Sequence, residues 1–443
     1  MNGRSFQWLS STRVRAVSTV DLANYDPMDR EIQQCPFDHY AALRAHGPVF
    51  HHEATGMYFV ARHDVVNRVL RDTATFSSVG SNVKTAASSA VMDQVAEIMA
   101  QGWPRAETLL TVDPPRHTRY RKLVARTFSA RRIATLEDTV REIAIELIDA
   151  FPDDGPIDFH AAFAVSLPVR VIHHTLNMSL DTIDSIKVWS EAANIALGAS
   201  PPDAARLDAA RSQVDAQKYW HHEYQDRLVN PTDDILSDLA HADFDDPDTP
   251  HGETRKLEFP EVYGIIKQLM VAGNETTTKF LNETMRMLIE RPDVWAALEA
   301  DPARCIHSLV EEGLRLSSPN QGLFRYVTAD TELDGVVIPE GSTLWVMFAA
   351  ANRDTSVFSD AESFDLSRVN VNEHLAFGKG HHFCIGAPLS RLEGKVAFEE
   401  LSKRIELPRF APDNAFEYEP SYILRGLAQL DLHVTKRTKR QEP

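Results

Sequence analysis

The chain has 443 residues, with 46 Lys and Arg against 64 Asp and Glu, a formal net charge of −18. Such an acidic surface repels phosphate backbones and anionic headgroups at long range, which excludes general nucleic-acid or electrostatic membrane binding and leaves room only for a local basic patch. Hydrophobic residues at 43% and charged residues at 25% are ordinary globular usage, so the chain can bury a sizeable core. At roughly 150 residues per domain the length allows about three domains, although large single-domain enzymes break that rule. The three cysteines, Cys35, Cys305 and Cys384, cannot build a disulfide framework and fit a reducing compartment. The start lacks the apolar stretch of a signal peptide, and no run approaches the ~20 apolar residues that span a bilayer, so a soluble, cytoplasmic protein is expected.

In chain order, residues 1 to about 30 read as a segment that can be flexible, and Met57 to Ala61 reads as a strand. The stretch Ser77 to Pro115 is irregular, with a short helix near Met92 to Met99. Between Arg116 and Arg132 stand Arg116, Arg119, Arg121, Lys122, Arg126, Arg131 and Arg132 with no acidic residue, the pattern of an anion-binding helix patch. Asp243 to Glu258, rich in Asp and Pro, reads as a solvated surface loop between helices. From 261 to 290, Val262, Ile265, Ile266 and Leu269 share one helical face behind Pro260, which suits a first turn. A second helix over 303 to 316 stops before Pro319. Gly335 to Ile338, Thr343 to Phe348 and Leu430 to Val434 are further short strands, so the fold class is mainly α with small β-sheets.

The most specific signal is Phe377-Gly-Lys-Gly380-His-His-Phe-Cys384-Ile-Gly386, a match to F-x-x-G-x-x-x-C-x-G that chance would supply on the order of once in 400 such chains. A cysteine that ligates iron must be a thiolate, and backbone donors aimed at its sulfur stabilise that charge. Glycines permit a loop tight enough for several N–H groups to converge on one atom, and Pro388 then opens a helix whose N-terminus favours negative charge. An inert buried cysteine is the bland alternative.

With this loop the chain resembles the cytochrome P-450 family, soluble bacterial type, over nearly its whole length from about Cys35 to Leu432, the segment 374–393 being similar to that family's heme-ligand loop. The resemblance implies a single domain over 1–443, with heme b between a long central helix and the cysteine loop. Cys384 is then the axial metal ligand, with Phe377, Gly378 and Gly386 shaping its loop. Thiolate ligation favours O–O cleavage. Ala272-Gly273-Asn274-Glu275-Thr276-Thr277 resembles the acid–alcohol motif: glycine and paired threonines weaken a helix interior, and a threonine hydroxyl bonded one turn back can open it. Ala272 would border the heme, Thr276 would hydrogen-bond dioxygen or its ordered water, and Glu275 would relay protons. His117 and Arg121, four apart on one helical face, match an H-x-x-x-R element, and with Arg325 and His382 they are the implied propionate partners. Glu312, Arg315 and Arg368 would form a buried ion-pair triad supporting the cysteine loop.

The implied substrate is a hydrophobic small molecule in a cavity bordered by segments 77–110, 192–217, 271–276, 320–323 and 422–424, among them Leu109, Leu110, Val271, Leu323 and Ile423. The amides of Asn320 and Gln321 either hydrogen-bond a substrate oxygen or face protein and solvent. With no fused flavin domain, the resemblance implies a separate [2Fe-2S] ferredoxin and an NAD(P)H-dependent ferredoxin reductase as electron source, the acidic ferredoxin meeting the basic helix. Hydroxylation or epoxidation with O₂ is the leading activity. Peroxide-driven oxygenation, oxidative coupling or a non-catalytic heme-thiolate sensor would use the same fold, and retention of both Glu275 and Thr276 favours O₂.

Overall fold

The computed structural model describes residues 20–79, 89–179, 182–195, 197, 199–248 and 253–438, so parts of the expected flexible N-terminal segment and of segments 77–110, 192–217 and 243–258 lie outside the described residues. Helices dominate, and the longest, Phe259–Glu290, runs through the main hydrophobic cluster. Its start is overdetermined: Pro260 occupies the first turn, and Glu258 and Glu261 form a reciprocal capping box that satisfies two otherwise orphaned N–H groups. Pro302–Ser317 and Ala387–Arg404 pack against this central helix. The first of these ends with Ser318 in a left-handed conformation just before Pro319, close to the boundary read from the proline.

Phe280 shows how these three helices fit. Its ring is wholly buried, and a Cβ added to Gly394 would come within 2.5 Å of it and one added to Gly313 within 3.0 Å. Gly313 has no room for a side chain, since its added Cβ would also come within 2.5 Å of Thr284 Oγ1.

The strands form a five-stranded sheet in the spatial order Phe50–His52, Met57–Val60, Thr343–Val346, Leu323–Val327, Phe76–Ser77, in which only Met57–Val60 and Thr343–Val346 run parallel. A second sheet orders Arg409–Phe410, Asp431–Thr435 and Asp154–Asp158. The expected strand 343–348 stops at Val346, because the chain turns at Met347 into the short buried helix Phe348–Ala351.

Segment 243–258 differs from the solvated loop expected of it. Asp243–Asp245 pairs antiparallel with Thr254–Lys256. The ribbon is anchored by Phe244, which is 1% exposed and stacks on Tyr120 at 4.7 Å, and by Arg255, which lies over Phe244 and pairs with Asp246 and Glu261. The ribbon also changes the basic helix, Arg116–Ala125: Arg116 pairs with Asp248 at 2.6 Å and Arg119 with Asp245 at 3.3 Å. Farther along the chain Arg132 meets Asp233 at 3.6 Å. Lys122, Arg126 and Arg131 stay exposed and have no ion pair among the described residues.

Gly394→Ala is expected to destabilise the fold by about 1–3 kcal/mol in denaturant unfolding despite alanine's better helix propensity, because the added methyl meets the Phe280 ring. A neutral or stabilising change would contradict this packing.

Candidate active site

The cysteine loop is held from both sides. Gly378 and Gly380 have φ of +63° and +70°, conformations that other L-residues adopt at a cost, and a Cβ on Gly380 would lie 2.5 Å from the Leu70 carbonyl oxygen. Cys384 N–H donates to the Phe377 carbonyl at 2.9 Å, closing the loop, and the N–H groups of Gly386 and Ala387 donate to the Cys384 sulfur. Burial pushes the Cys384 thiol up, while those two donors and the nearby Arg121 and Arg391 guanidinia pull the other way. The helix that follows, Ala387–Arg404, carries Pro388 in its first turn. Arg391 reaches back over the Phe377 ring at 4.7 Å and is held bidentate by Glu311 at 2.7 and 2.8 Å.

Behind the loop lies the expected triad. Glu312 takes Arg315 Nε at 2.6 Å and Arg368 Nε at 2.9 Å, with all three side chains almost fully buried. The remaining Arg315 donors go to the carbonyls of Asn352, Ala361 and Ser363, and those of Arg368 to Ser359, Asp360 and Ser363. Asn352 carries the connection onward, its side-chain oxygen accepting from Leu375 N–H at 2.6 Å just before the cysteine loop.

Four cationic or donor side chains collect around Asp113, with Arg121 near the thiol as well. The His117 and His382 rings lie 4.1 Å apart, Arg121 acts on both His117 and Cys384, and Arg325 is 3% exposed on its strand. His117 Nδ1 and Arg325 Nε are buried with no hydrogen-bond partner among the described residues. Burial, with His382 and Arg121 adding to it, drives His117 down to about 3, and burial lowers Arg325 to about 10. Asp113 is the carboxylate within this group: it accepts from Ser77 and from Ser78 N–H, lies 3.8 Å from His382, and is held down to about 2 because these hydrogen bonds outweigh its burial. Asp113 carries no sequence signal for this role, because its partners Ser77, Ser78 and His382 lie far from it in the chain.

In the middle of the central helix Thr276 Oγ1 donates to the Ala272 carbonyl at 2.7 Å, the bond one turn back that its sequence implied. Ala272 is exposed and Thr276 half-exposed in a helix otherwise largely buried. Glu275 pairs with Lys279 at 3.0 Å and borders a half-open cavity of about 280 Å³.

The cytochrome P450 family model matches residues 209–408. Cytochrome P450 monooxygenase PikC of Streptomyces venezuelae is 34% identical over 409 residues, covering 90% of both chains. Vitamin D(3) 25-hydroxylase of Pseudonocardia autotrophica is 31% identical over 427 residues, covering 96% of this chain and 100% of that protein. The solved structure of cytochrome P450 CYP109Q5 from Chondromyces apiculatus aligns with TM-score 0.80 at 32% identity, covering 94% of this chain and 99% of that one. The chain belongs to the cytochrome P450 family. It is therefore a P450 monooxygenase, an oxidoreductase of the heme b class.

The residues present fit that group. Heme b brings two propionates, and the cluster of His117, Arg121, Arg325 and His382 offers two buried polar atoms left without partners among the described residues, His117 Nδ1 and Arg325 Nε, with Asp113 as local anion. The sulfur and its N–H donors fit an iron ligand.

The expected substrate-pocket residues divide. Leu110 is 49% exposed and its N–H donates to Gln268 Oε1 at 3.1 Å on the central helix, while Leu109, Val271, Asn320 and Leu323 are half-buried. Gln321 is not available to a substrate: its Oε1 accepts from Tyr40 and its Nε2 donates to the Ser318 carbonyl. Asn320 Oδ1 accepts from Gly322 N–H, and Ile423 is buried in a core cluster. A turn after Pro319 needs its own amide caps, which is where these groups went. None of the seven borders the 280 Å³ cavity, which instead meets Asn274 and Glu275 of the central helix, Lys187 and Glu191 of helix Ile183–Asn194, His160, and Glu419.

Arg325→Leu is expected to speed heme loss to apomyoglobin roughly 10- to 100-fold, the worth of a charge-assisted hydrogen bond at about 1.5–3 kcal/mol. Unchanged heme retention would remove Arg325 from the propionate site.

Proposed function

We propose that this P450 is a cytoplasmic, single-domain enzyme over residues 1–443 that draws electrons from a [2Fe-2S] ferredoxin and its NAD(P)H-dependent reductase to hydroxylate or epoxidise an apolar small molecule. The balance is RH + O₂ + 2e⁻ + 2H⁺ → ROH + H₂O. The single observation that carries the reading is the Cys384 sulfur receiving the N–H groups of Gly386 and Ala387 near a cluster in which, among the described residues, His117 Nδ1 and Arg325 Nε are buried without partners. Heme b, bound there through a thiolate, supplies the oxygen-binding iron and favours O–O cleavage.

The chain's own residues do the rest. Cys384 would hold the iron, and the N–H donors of its loop would tune the sulfur's electron donation. His117, Arg121, Arg325 and His382 would hold the propionates, and Ala272 would leave space for the heme beside the central helix. Glu275, whose carboxylate borders a charged cavity, takes protons from solvent and passes them toward Thr276, whose hydroxyl oxygen keeps a lone pair free to orient a water while its hydrogen bonds Ala272. Apolar side chains of Leu109, Val271 and Leu323 border the substrate. A hydrophobic substrate is supported by the name of the vitamin D(3) 25-hydroxylase relative.

Cys384→Ser is expected to lose the thiolate-type absorbance of the reduced, carbon-monoxide-treated protein; its survival would sink the axial assignment. The electron donor is tested on the basic surface. The ribbon carboxylates occupy Arg116 and Arg119, so docking falls to Lys122, Arg126 and Arg131. Charge removal at Lys122 or Arg126 should slow reduction by an acidic ferredoxin several-fold at low salt with heme content unchanged, and Arg119→Gln should have a smaller effect. Equal rates in all variants would place the donor elsewhere.

A further inference from the structure

Lys279 is 1% exposed, one turn beyond Glu275 on the central helix. Its ammonium lies 3.0 Å from Glu275 Oε2 and 2.6 Å from Glu419 Oε2. Its stem occupies a prepared seat: a Cβ on Gly426 would come within 2.2 Å of Lys279 Cγ, so glycine is required opposite it. Glu419 and Gly426 are themselves joined by the Glu419 N–H bond to the Gly426 carbonyl, at 3.1 Å. Burial disfavours the ammonium, yet the two carboxylates outweigh that and hold it charged.

One carboxylate neutralises one ammonium; here there are two. Removing the sole partner of a buried charge is costly, so a lysine paired to Glu275 alone would clamp that carboxylate in place. With Glu419 present, Glu275 can leave without stranding the charge. Both carboxylates border the same cavity, whose other charged or titratable walls are Lys187, Glu191 and His160. Glu275 alone stands next to Thr276.

We propose that Lys279 and Glu419 are positioning residues for Glu275, Glu419 keeping the buried ammonium compensated each time Glu275 swings off it to carry a proton from the charged cavity toward Thr276. This rests on the relay reading of Glu275 given under Proposed function.

The test needs neither the substrate nor the natural donor. Reduction of O₂ itself consumes protons (O₂ + 2e⁻ + 2H⁺ → H₂O₂; O₂ + 4e⁻ + 4H⁺ → 2H₂O), so the catalytic oxygen-reduction current of the heme-loaded protein on an electrode, in H₂O and D₂O, reads proton delivery. Glu419→Gln leaves Lys279 to clamp Glu275, and the current should fall about tenfold with a larger solvent isotope effect. Lys279→Met combined with Glu419→Gln removes the clamp, and the current should return to within about threefold of wild type, whereas purely structural losses would compound. Glu419→Asp, which keeps the charge, should retain the wild-type current. A wild-type current and isotope effect in Glu419→Gln, a double variant slower than Glu419→Gln, or a loss in Glu419→Asp would each overturn the proposal. Glu275→Gln with an undiminished current would overturn the relay reading itself. Hydrogen exchange over 415–424 in the ferric protein reads the tie apart from turnover: it should quicken in Glu419→Gln and stay unchanged in Glu275→Gln, and no change in the former would overturn the Lys279–Glu419 tie.

Discussion

Glu312, buried between two guanidinium groups, is the constraint on which the cysteine loop depends. Its two oxygens accept from Arg315, Arg368 and the N–H of Asp365, so the pair of positive charges is met by one carboxylate and a ring of carbonyls. Such a network contributes little net stability over an apolar core, but loss of one member strands the others. What it supplies is position. Through Asn352 it fixes Leu375, and a second set, buried Glu311 and His374 with the partly exposed Arg391, fixes the other flank. Burial alone would raise Glu311, yet the hydrogen bonds from Arg391 and His374 hold it down to about 2, so that flank stays charged across ordinary pH.

The opposite electrostatic condition holds a few residues away. At Glu312 every charge is answered within the chain; at His117 Nδ1 and Arg325 Nε a buried nitrogen is left unanswered among the described residues. A protein tolerates unpaired buried donors where a ligand completes them. The contrast sets the structural cations, Arg315 and Arg368, apart from the group proposed to hold the propionates, a distinction that residue type alone does not make.

The central helix joins three tasks along two turns. Thr276 spends its hydroxyl hydrogen on Ala272, Asn274 ties to Ser190 of helix Ile183–Asn194 at 3.1 Å, and Glu275 meets Lys279. Each departs from what an ordinary buried helix would carry at these positions, and each concerns a different side of the helix. A local weakness in helix propensity is thereby stabilised by tertiary partners.

By itself the sequence determined the cysteine loop, the E-x-x-R pair, the Thr276 bond and the central helix, because each depends on neighbours within about one turn or on a glycine conformation. Only the tertiary structure decided what those residues meet across the chain: Glu419 against Lys279, Asp113 against His382, Gln321 against Tyr40, Phe244 against Tyr120. It also moved the free positive charge from Arg116 and Arg119 to Lys122, Arg126 and Arg131. The physical reason is the same throughout. Backbone geometry and short-range periodicity are written locally, whereas the choice of which carboxylate compensates which cation is made by packing elements far apart in the chain.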